Sequence, residues 1–545
     1  MVDDLSSISP EEMHRLLWRA SASYRLQHNN VLIDGFSKID FKRYPYLTEL
    51  IDGRARYTTV LKGAQMGFTV SFIMRILEDL RSMPLRGVLY LFPTDGEVVD
   101  FSKARFSPMV QANPCFQDLV DKTDASGLKK IGRSFVYFRG LGQRGSSTAD
   151  KSTSKLKSIP VDHIYYDEAD EMDPARLDTV EYRLDGSECP EETKLSTPTV
   201  PEFGVDLAYK DSDQRSWHWK CGRCGQWTCL DDMWPDCIAD VNTGEPYFLC
   251  SNKRCGRLER DGGEWVVSNS EVRDHRGYWI SQLNSPTQSA ENIIYKYDRA
   301  IKRGRLKEFY NQTLARAYID AEDELTEQQL NDCLTREPPT LRHPGPTAMG
   351  VDPGKLMHWQ VRIRVSDLAS RVLAWGEAHD YETINNVASK FNVSCGVMDQ
   401  GADTTAVRNF IHDHPGWYGC LYVESKRTDP DWDHKTRTVK VGRNYLLDLD
   451  HQDIMKKKVL FPTPNAFWHE TVVPQMTNLK RAEIEKADTG ERKYKWIVTG
   501  GRKNDHLRHA SAYARLACDR VSVAGEYIPT RKHPRHRRRR SAMTM

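Results

Sequence analysis

The apolar run Ile164-Tyr165-Tyr166 ends in the carboxylate pair Asp167-Glu168, and this strand tip restricts the possible folds of the chain more than any other feature. Many P-loop ATPases assemble their hydrolytic centre in this way. The Asp holds the Mg²⁺ shell and the Glu orients and deprotonates the attacking water. Acidic residues also end strands merely to face solvent, so the pair selects a fold only if a phosphate-binding loop precedes it.

An altered loop does precede it. Lys62-Gly63-Ala64-Gln65-Met66-Gly67-Phe68-Thr69 lies between the strand-like Tyr57-Thr58-Thr59-Val60-Leu61 and a helix-like run through Ile73, Ile76, Leu77 and Leu80. The usual pattern, G-x-x-x-x-G-K-[ST], cradles phosphates with backbone N–H groups at a helix N-terminus. Gly67 matches its second glycine and Thr69 its Mg²⁺-binding hydroxyl, whereas Phe68 replaces the lysine and Lys62 occupies the first-glycine position. A lysine entering from the strand side still brings its ammonium to the β- and γ-phosphates. Strand-like runs at Gly87 to Phe92 and Ser134 to Phe138 lie between loop and carboxylates, which completes the signature of an α/β ATPase with a parallel-rich sheet. The candidate nucleotide ligands are Lys62, Gly63, Gly67, Thr69 and Asp167, with Glu168 as the catalytic base.

Leu195-Ser196-Thr197-Pro198 follows the Asp-Glu strand at the distance where such ATPases place a polar sensor of the γ-phosphate; an ordinary strand exit has the same composition. Arg139 and Arg144, among Gly140, Gly142 and Gly145, are candidates for an arginine finger or for solvent-facing loop residues. Tyr44 and Tyr46 stand before the loop, positioned either to stack on adenine or to pack in the core.

The displaced lysine, the Tyr-Asp-Glu strand and the Ser-Thr-Pro segment together resemble the lambda-type family of large terminase subunits of tailed double-stranded DNA phages. The resemblance implies ATP-driven packaging of viral double-stranded DNA into a procapsid, with metal-dependent endonucleolytic cutting of concatemers. It implies a second domain with an RNase H-like nuclease fold and three acidic ligands for Mg²⁺ or Mn²⁺. It also implies a small terminase subunit and the portal protein as partners, a homo-oligomeric ring during packaging, residence in the cytoplasm of the infected host, and absence from the mature virion.

The acidic ligands can be sought independently of that resemblance. Beyond the Pro-rich stretch Pro338 to Pro346, Met349-Gly350-Val351-Asp352 reads as a strand with a terminal carboxylate. Alternating segments from Trp359 to Val365 and Arg371 to Trp375 read as hairpin strands, and a helix-like run through Ile384, Val387 and Phe391 leads to the strand Val393 to Asp399. Asn504-Asp505-His506 opens an Ala-rich helix reaching Cys518. Two strand ends and a helix start in this order suit a two-metal nuclease, in which one ion activates water and the other stabilises the leaving 3′ oxygen. Taken singly, Asp352 reads as a turn residue, Asp399 as a strand terminator and Asp505 as a helix cap.

Cys221-Gly222-Arg223-Cys224, then Cys250 and Cys255, give two thiolate pairs separated by 25 residues. Such spacing makes a closed tetrahedral Zn²⁺ site, and the adjacent Gly222, Gly225 and Gly256 suit its tight turns. Cys229 and Cys237 lie in the gap as substitute ligands. Disulfides are disfavoured by the lack of a secretory signal and the scatter of the other cysteines. The lambda-type family carries a zinc ribbon here, followed by a segment like Gly263-Glu264-Trp265.

At 545 residues, 39% hydrophobic and 10% aromatic, the chain is long and apolar enough for two or three globular cores. No apolar run approaches the ~20 residues that span a bilayer. The net charge of +2 does not by itself indicate nucleic-acid binding. Charge is instead concentrated in Arg531 to Arg540, a basic arm suited to DNA phosphates or an acidic partner. Arg492, Lys493 and Lys495, after Asp488-Thr489-Gly490, read as a basic hairpin.

The expected organisation is an N-terminal helical segment over 1–40, with a helix from Ser9 to Ala22, and an ATPase domain over 41–210. A zinc ribbon with connecting helices follows over 211–335, then a linker over 336–348, a nuclease domain over 349–525 and a basic tail over 526–545. Two other functions fit parts of the pattern. A helicase-like DNA repair translocase with a nuclease predicts strand separation, and a non-catalytic DNA-binding scaffold predicts no ATP turnover.

Overall fold

The computed structural model describes residues 9–33, 36–120, 125–142, 159–239, 244–320, 322–366, 369–401, 404–423, 429–485, 492–500 and 504–523. The tail from Arg531 to Arg540, Arg144 and Gly145, and the turn Asp488-Thr489-Gly490 lie outside the described residues. The chain divides into two compact units. The first is Met1–Asp320 with Ala482–Lys493 and Thr499–Gly501; the second is Ala321–Arg481 with Tyr494–Val498 and Arg502–Met545.

The first unit is built on a sheet of β1 (Tyr57–Lys62), β2 (Gly87–Phe92), β3 (Leu128–Ile131), β4 (Ser134–Gly140), β5 (His163–Asp167), β6 (Glu191–Ser196), β7 (Arg215–Cys221), β8 (Trp227–Thr228), β9 (Arg260–Val267) and β10 (His275–Ile280). Their order is β3-β4-β2-β5-β6-β1-β10-β7-β8, with β9 paired to β7. The central run from β4 to β10 is parallel. Its strands β2 and β5 are largely apolar, as expected for strands covered on both faces: all six residues of β2 and all five of β5 are buried.

Helix Phe68–Ser82 returns from β1 and is buried over most of its surface. Its two fully buried acids are matched by arginines: Arg25 Nε lies 2.6 Å from Glu78, and Arg54 is paired with Asp79. Arg81 also meets Glu78 at 2.6 Å and Arg75 lies 3.7 Å from Asp79, so each buried carboxylate is shared between two guanidiniums that offset its desolvation.

The sheet extends further along the chain than the expected ATPase segment 41–210. Strands β7 to β10 all belong to it, and β10 pairs with β1 in parallel from Tyr57↔His275 to Lys62↔Ile280. The physical reason is that β1 needs a neighbour on each side, and the aromatic, β-prone sequence of β10 supplies the second. The N-terminal helix also differs from the expected Ser9 to Ala22. It runs Pro10–Ala20 and stops at Ser21, whose side chain caps the next helix, Ala22–His28, by accepting the Tyr24 N–H.

The second unit contains β11 (Thr347–Asp352), β12 (Met357–Arg364), β13 (Ser370–Ala378), β14 (Val393–Asp399), β15 (Trp417–Tyr422), β16 (Asp431–Asp433), β17 (Thr438–Val441) and β18 (Val459–Leu460), in the order β16-β17-β15-β14-β11-β12-β13-β18. An antiparallel meander β11-β12-β13 is followed by β14 and β15, which join β11 in parallel. This is the RNase H-like arrangement. The Pro-rich stretch expected to link domains lies inside this unit, where Thr340 and His343 donate backbone hydrogen bonds to Leu373 and Lys390.

Helix His506–Cys518 packs directly on β11. A Cβ added to Gly350 would run into the Ala510 carbonyl oxygen and the Ala514 amide, so the close approach requires glycine there. Ala510, Ala514 and Ala517 keep this face of the helix thin, and all are fully buried. Arg362 and Arg508, both fully buried, converge on the buried Asp450 at 3.0 and 3.5 Å.

Candidate functional site

In the first unit the sheet lays β6 between β1 and β5. The registers Leu61↔Ser196 and Asp167↔Leu195 bring Lys62, Asp167-Glu168 and Ser196-Thr197 to one edge of the sheet. Ligands in open α/β sheets bind at such carboxyl ends. The loop after β1 turns through Gln65 and Gly67, both with positive φ, at 61° and 85°. Gly67 is the N-cap of helix Phe68–Ser82, so the loop presents a helix N-terminus without a side chain in the way.

Lys62 Nζ lies 2.6 Å from Glu168 Oε1. On the other carboxylate oxygen, Glu168 Oε2 accepts from Ser196 Oγ at 3.2 Å and from the Thr197 amide at 3.3 Å. Glu168 has φ 57° and ψ 52°, a left-handed conformation that a non-glycine residue adopts only when its surroundings hold it there. Burial acts against the ammonium of Lys62, but Glu168 and Asp167 more than offset it and hold its pKa above the usual lysine value. Burial likewise works against the Glu168 carboxylate, and Lys62 outweighs it, so Glu168 stays ionised below the usual range.

Asp167 is buried, and burial pushes its pKa up against the pull of Lys62. Its Oδ2 accepts from Tyr90 Oη at 2.9 Å, while Oδ1 is buried with no hydrogen-bond partner. An unsatisfied carboxylate oxygen near the Thr69 hydroxyl fits a hard divalent cation, which takes oxygen ligands. Tyr90, fully buried against Tyr165 and Phe101, was not legible as a site residue, because an aromatic in an apolar strand reads as core.

Other candidates are placed elsewhere. Tyr46 is fully buried against Phe68 and Trp217, a core residue and not a base-stacking surface. Arg139 donates to the Gly127 and Phe138 carbonyls of its own unit.

In the second unit Val351 pairs with Met398, so Asp352 and Asp399 leave adjacent parallel strands at the same end. Asp505 precedes helix His506–Cys518 and does not cap it through its side chain. His506 Nδ1 bonds Asp352 Oδ2 at 2.7 Å, which ties the helix start to the end of β11. Asp399 accepts the Gly401 amide at 2.9 Å, and burial together with the nearby Asp352 pushes its pKa up. Asp505 is half-buried, which works against its charge, but His509, at 3.2 Å, and Arg443 bring its pKa below the usual range.

Asp352, Asp399 and Asp505 are therefore neighbours, although among the described residues their oxygens do not all fall within 4.8 Å of one another. The repulsion that Asp352 exerts on Asp399 is of the kind that the charge of a divalent cation offsets. His506 and His509, left out of the sequence-based site, both touch its carboxylates. His506 also stacks on His358 with ring centroids 4.9 Å apart.

The sulfurs of Cys221, Cys224, Cys250 and Cys255 all lie within 4.8 Å of one another. The Cys221–Cys255 and Cys224–Cys250 separations are 3.7 and 3.6 Å. A tetrahedral site with Zn–S bonds of about 2.3 Å places its sulfurs about 3.8 Å apart, so the four thiols fit the ion. Gly225 and Gly256 follow the second cysteine of each pair with φ 72° and 75°, the left-handed turns that bring backbone amides toward the sulfurs. Cys229 and Cys237, the substitute ligands, are not in this group.

A loop at a helix N-terminus, a buried Asp beside a Glu held by Ser196 and Thr197, and an RNase H-like sheet with three acids define an ATPase joined to a nuclease. Two family models match the chain: "Phage terminase large subunit gpA, ATPase domain" over residues 36–266, and "Terminase large subunit gpA, endonuclease domain" over residues 275–351. Together they span more than half of it, and the chain belongs to the gpA family of phage terminase large subunits. It is thus an ATPase and endonuclease of viral DNA packaging. The endonuclease match begins at β10 of the first unit and ends at Val351, so it stops one residue short of Asp352.

Solved structures are also similar. The HK97 bacteriophage large terminase is 12% identical over 90% of this chain and 100% of its own, with a TM-score of 0.49. The large terminase of a thermophilic bacteriophage is 11% identical over 88% and 98%, with a TM-score of 0.33. The Thermus phage P74-26 large terminase ATPase domain is 13% identical over 52% and 96%, with a TM-score of 0.30. Comparison with curated proteins returned no match.

Proposed function

We propose that Lys62, Gly63, Gly67 and Thr69 bind Mg-ATP, that Asp167 organises the metal, and that Glu168 is the general base of hydrolysis. The observation that carries this reading is the double hold on Glu168: Lys62 on one oxygen, Ser196 and the Thr197 amide on the other. A carboxylate so fixed and kept ionised is prepared to take a proton from water. When phosphate oxygens arrive, Lys62 exchanges its glutamate partner for them, and Glu168 is freed toward the water. Ser196 and Thr197 then couple the occupancy of the loop to the orientation of the base. The bound Mg²⁺ would supply charge neutralisation of the phosphates.

In the second unit we assign DNA cutting to Asp352, Asp399 and Asp505 as ligands of Mg²⁺ or Mn²⁺. His506, His509 and Arg443 lie beside these carboxylates and hold them until the ions are bound. The Cys221, Cys224, Cys250 and Cys255 group is assigned to a structural Zn²⁺ that ties β7 to the loop before β9. The substrate is double-stranded DNA, the working form a homo-oligomeric ring in the host cytoplasm, and the partners the small terminase subunit and the portal. The basic segment Arg531 to Arg540 is assigned to DNA phosphates or the portal surface.

The test is steady-state ATP hydrolysis by full-length protein carrying Lys62→Ala or Glu168→Gln. Both should lose turnover, and Glu168→Gln should still bind nucleotide. Hydrolysis unchanged by either substitution rules the reading out and favours the non-catalytic scaffold.

A further inference from the structure

Strand β7 and the short β8 pair antiparallel, Trp219 with Thr228 and Lys220 with Trp227. Continuing that register sets Cys229 opposite His218. The chain then turns into helix Leu230–Met233, with the Met233 amide 3.3 Å from the Cys229 carbonyl, which folds Asp232 back toward the same place. One imidazole nitrogen, the Cys229 sulfur and an Asp232 oxygen all lie within 4.8 Å of one another. The thiol is buried, the imidazole half-buried and the carboxylate exposed.

We propose that His218, Cys229 and Asp232 form a second Zn²⁺ site, separate from the four-thiolate group, with three protein ligands and a fourth position left to water. The donor set is the argument. One nitrogen, one thiolate sulfur and one carboxylate oxygen match a borderline-soft, tetrahedral ion and do not suit Mg²⁺ or Ca²⁺, which take oxygen. A ring nitrogen of His218 meets Ser216 Oγ at 3.1 Å, the kind of contact that orients an imidazole whose other nitrogen binds metal. The ligands come from a strand, the residue after its partner strand, and the following helical turn, so the ion would fasten the β7–β8 turn to that helix. Cys229, an alternative ligand of the four-cysteine group by spacing alone, thereby gains a partner set of its own.

The test is zinc content of the purified full-length chain by inductively coupled plasma mass spectrometry, after saturation with Zn²⁺ and removal of the excess. Wild type should carry two zinc ions per chain. Asp232→Ala, at an exposed position that tolerates truncation, and Cys229→Ser should each halve that content, and so should Cys224→Ser through the other site. With Co²⁺ in place of zinc, the Cys224→Ser protein should keep the visible bands of a four-coordinate ion, and Asp232→Ala should weaken them. A single zinc that Cys224→Ser removes, while Asp232→Ala and Cys229→Ser leave it in place, overturns this proposal and leaves the four-thiolate site standing. A single zinc lost in Asp232→Ala and kept in Cys224→Ser supports the second site and removes the first. No zinc in wild type overturns both.

Discussion

Lys62 Nζ and Glu168 Oε1 lie 2.6 Å apart, although 106 residues separate them in the chain. The lysine ends β1 and the glutamate follows β5, so the contact exists only because β6 is laid between those strands. A lysine in the usual position after the second glycine would start the helix; here Phe68 stands there and is buried in the core. In the proposed reading the cationic duty moves from the helix to the strand, where Lys62 directly contacts the proposed base. Lys62→Ala should lower kcat/KM for ATP by at least about a hundredfold, the scale of losing a preorganised charge at a phosphoryl-transfer site. Lys62→Arg should not restore it, because a longer planar group cannot occupy the same buried position. Steady-state ATPase assays check both; near-wild-type rates for Lys62→Ala would contradict the role.

Tyr90 should act on the metal through Asp167. Its hydroxyl, held protonated by burial and by the adjacent carboxylate, donates to Asp167 Oδ2 at 2.9 Å. A hydrogen bond to a charged group contributes about 1.5–3 kcal/mol. Tyr90→Phe should therefore raise the Mg²⁺ concentration for half-maximal ATPase about tenfold with a smaller change in the KM for ATP. A variant with the wild-type Mg²⁺ dependence would show that Tyr90 only packs.

The Asp450 carboxylate is fully buried between Arg362 and Arg508. Burial would raise its pKa, but the two guanidiniums keep it below the usual range. Replacing it with Ala leaves two buried cations uncompensated, at a cost of about 3–5 kcal/mol. Thermal unfolding of Asp450→Ala should show an early transition, and an unchanged melting profile would refute the pairing. Because its folded pKa is depressed, the stability that Asp450 provides is present at neutral pH and disappears as pH falls below the carboxylate range.

His451 gives a second pH dependence in a separate window. Burial and the nearby Arg508 push its pKa down to about 4, and its Nε2 meets the Glu322 carbonyl at 2.8 Å. A folded pKa below the unfolded value means that the unfolded chain binds the extra proton. Stability is then complete above about 6.5 and declines as pH falls toward 4, by up to about 3 kcal/mol. His451→Gln should flatten the melting temperature between those limits, and an equal slope in both proteins would argue against the assignment.

The strands that carry the proposed catalytic acids were legible in the sequence because each is an apolar run with a carboxylate at its end. Asp167-Glu168, Asp352 and Asp399 are short apolar runs closed by carboxylates, and a parallel strand needs no distant information to be recognised as one. Spacing placed Ser196 near the Asp-Glu pair, and its hydroxyl does meet Glu168. The sheet's reach through β10 was not, since a strand joined in parallel to β1 is separated from it by the whole cysteine-rich segment, and local pattern does not carry long-range pairing. Tyr90 was not singled out, and His506 and His509 were left out, for a related reason: each contacts a site carboxylate that is either 77 or more positions away or on a helix whose facing the sequence does not show. The grouping of His218, Cys229 and Asp232 was not legible, because cysteine spacing alone offers Cys229 only as a substitute ligand of the four-cysteine set.

Two catalytic centres on one chain, built from separate residues, should be separable by substitution. The most direct measurement is ATP hydrolysis and supercoiled-plasmid cleavage, the latter in Mg²⁺ or Mn²⁺ without ATP, on the same preparations of wild type, Glu168→Gln and Asp399→Asn. Glu168→Gln should lose hydrolysis and keep cutting, and Asp399→Asn should lose cutting and keep hydrolysis. Loss of both activities in either variant, or cutting that survives Asp399→Asn, would contradict this separation.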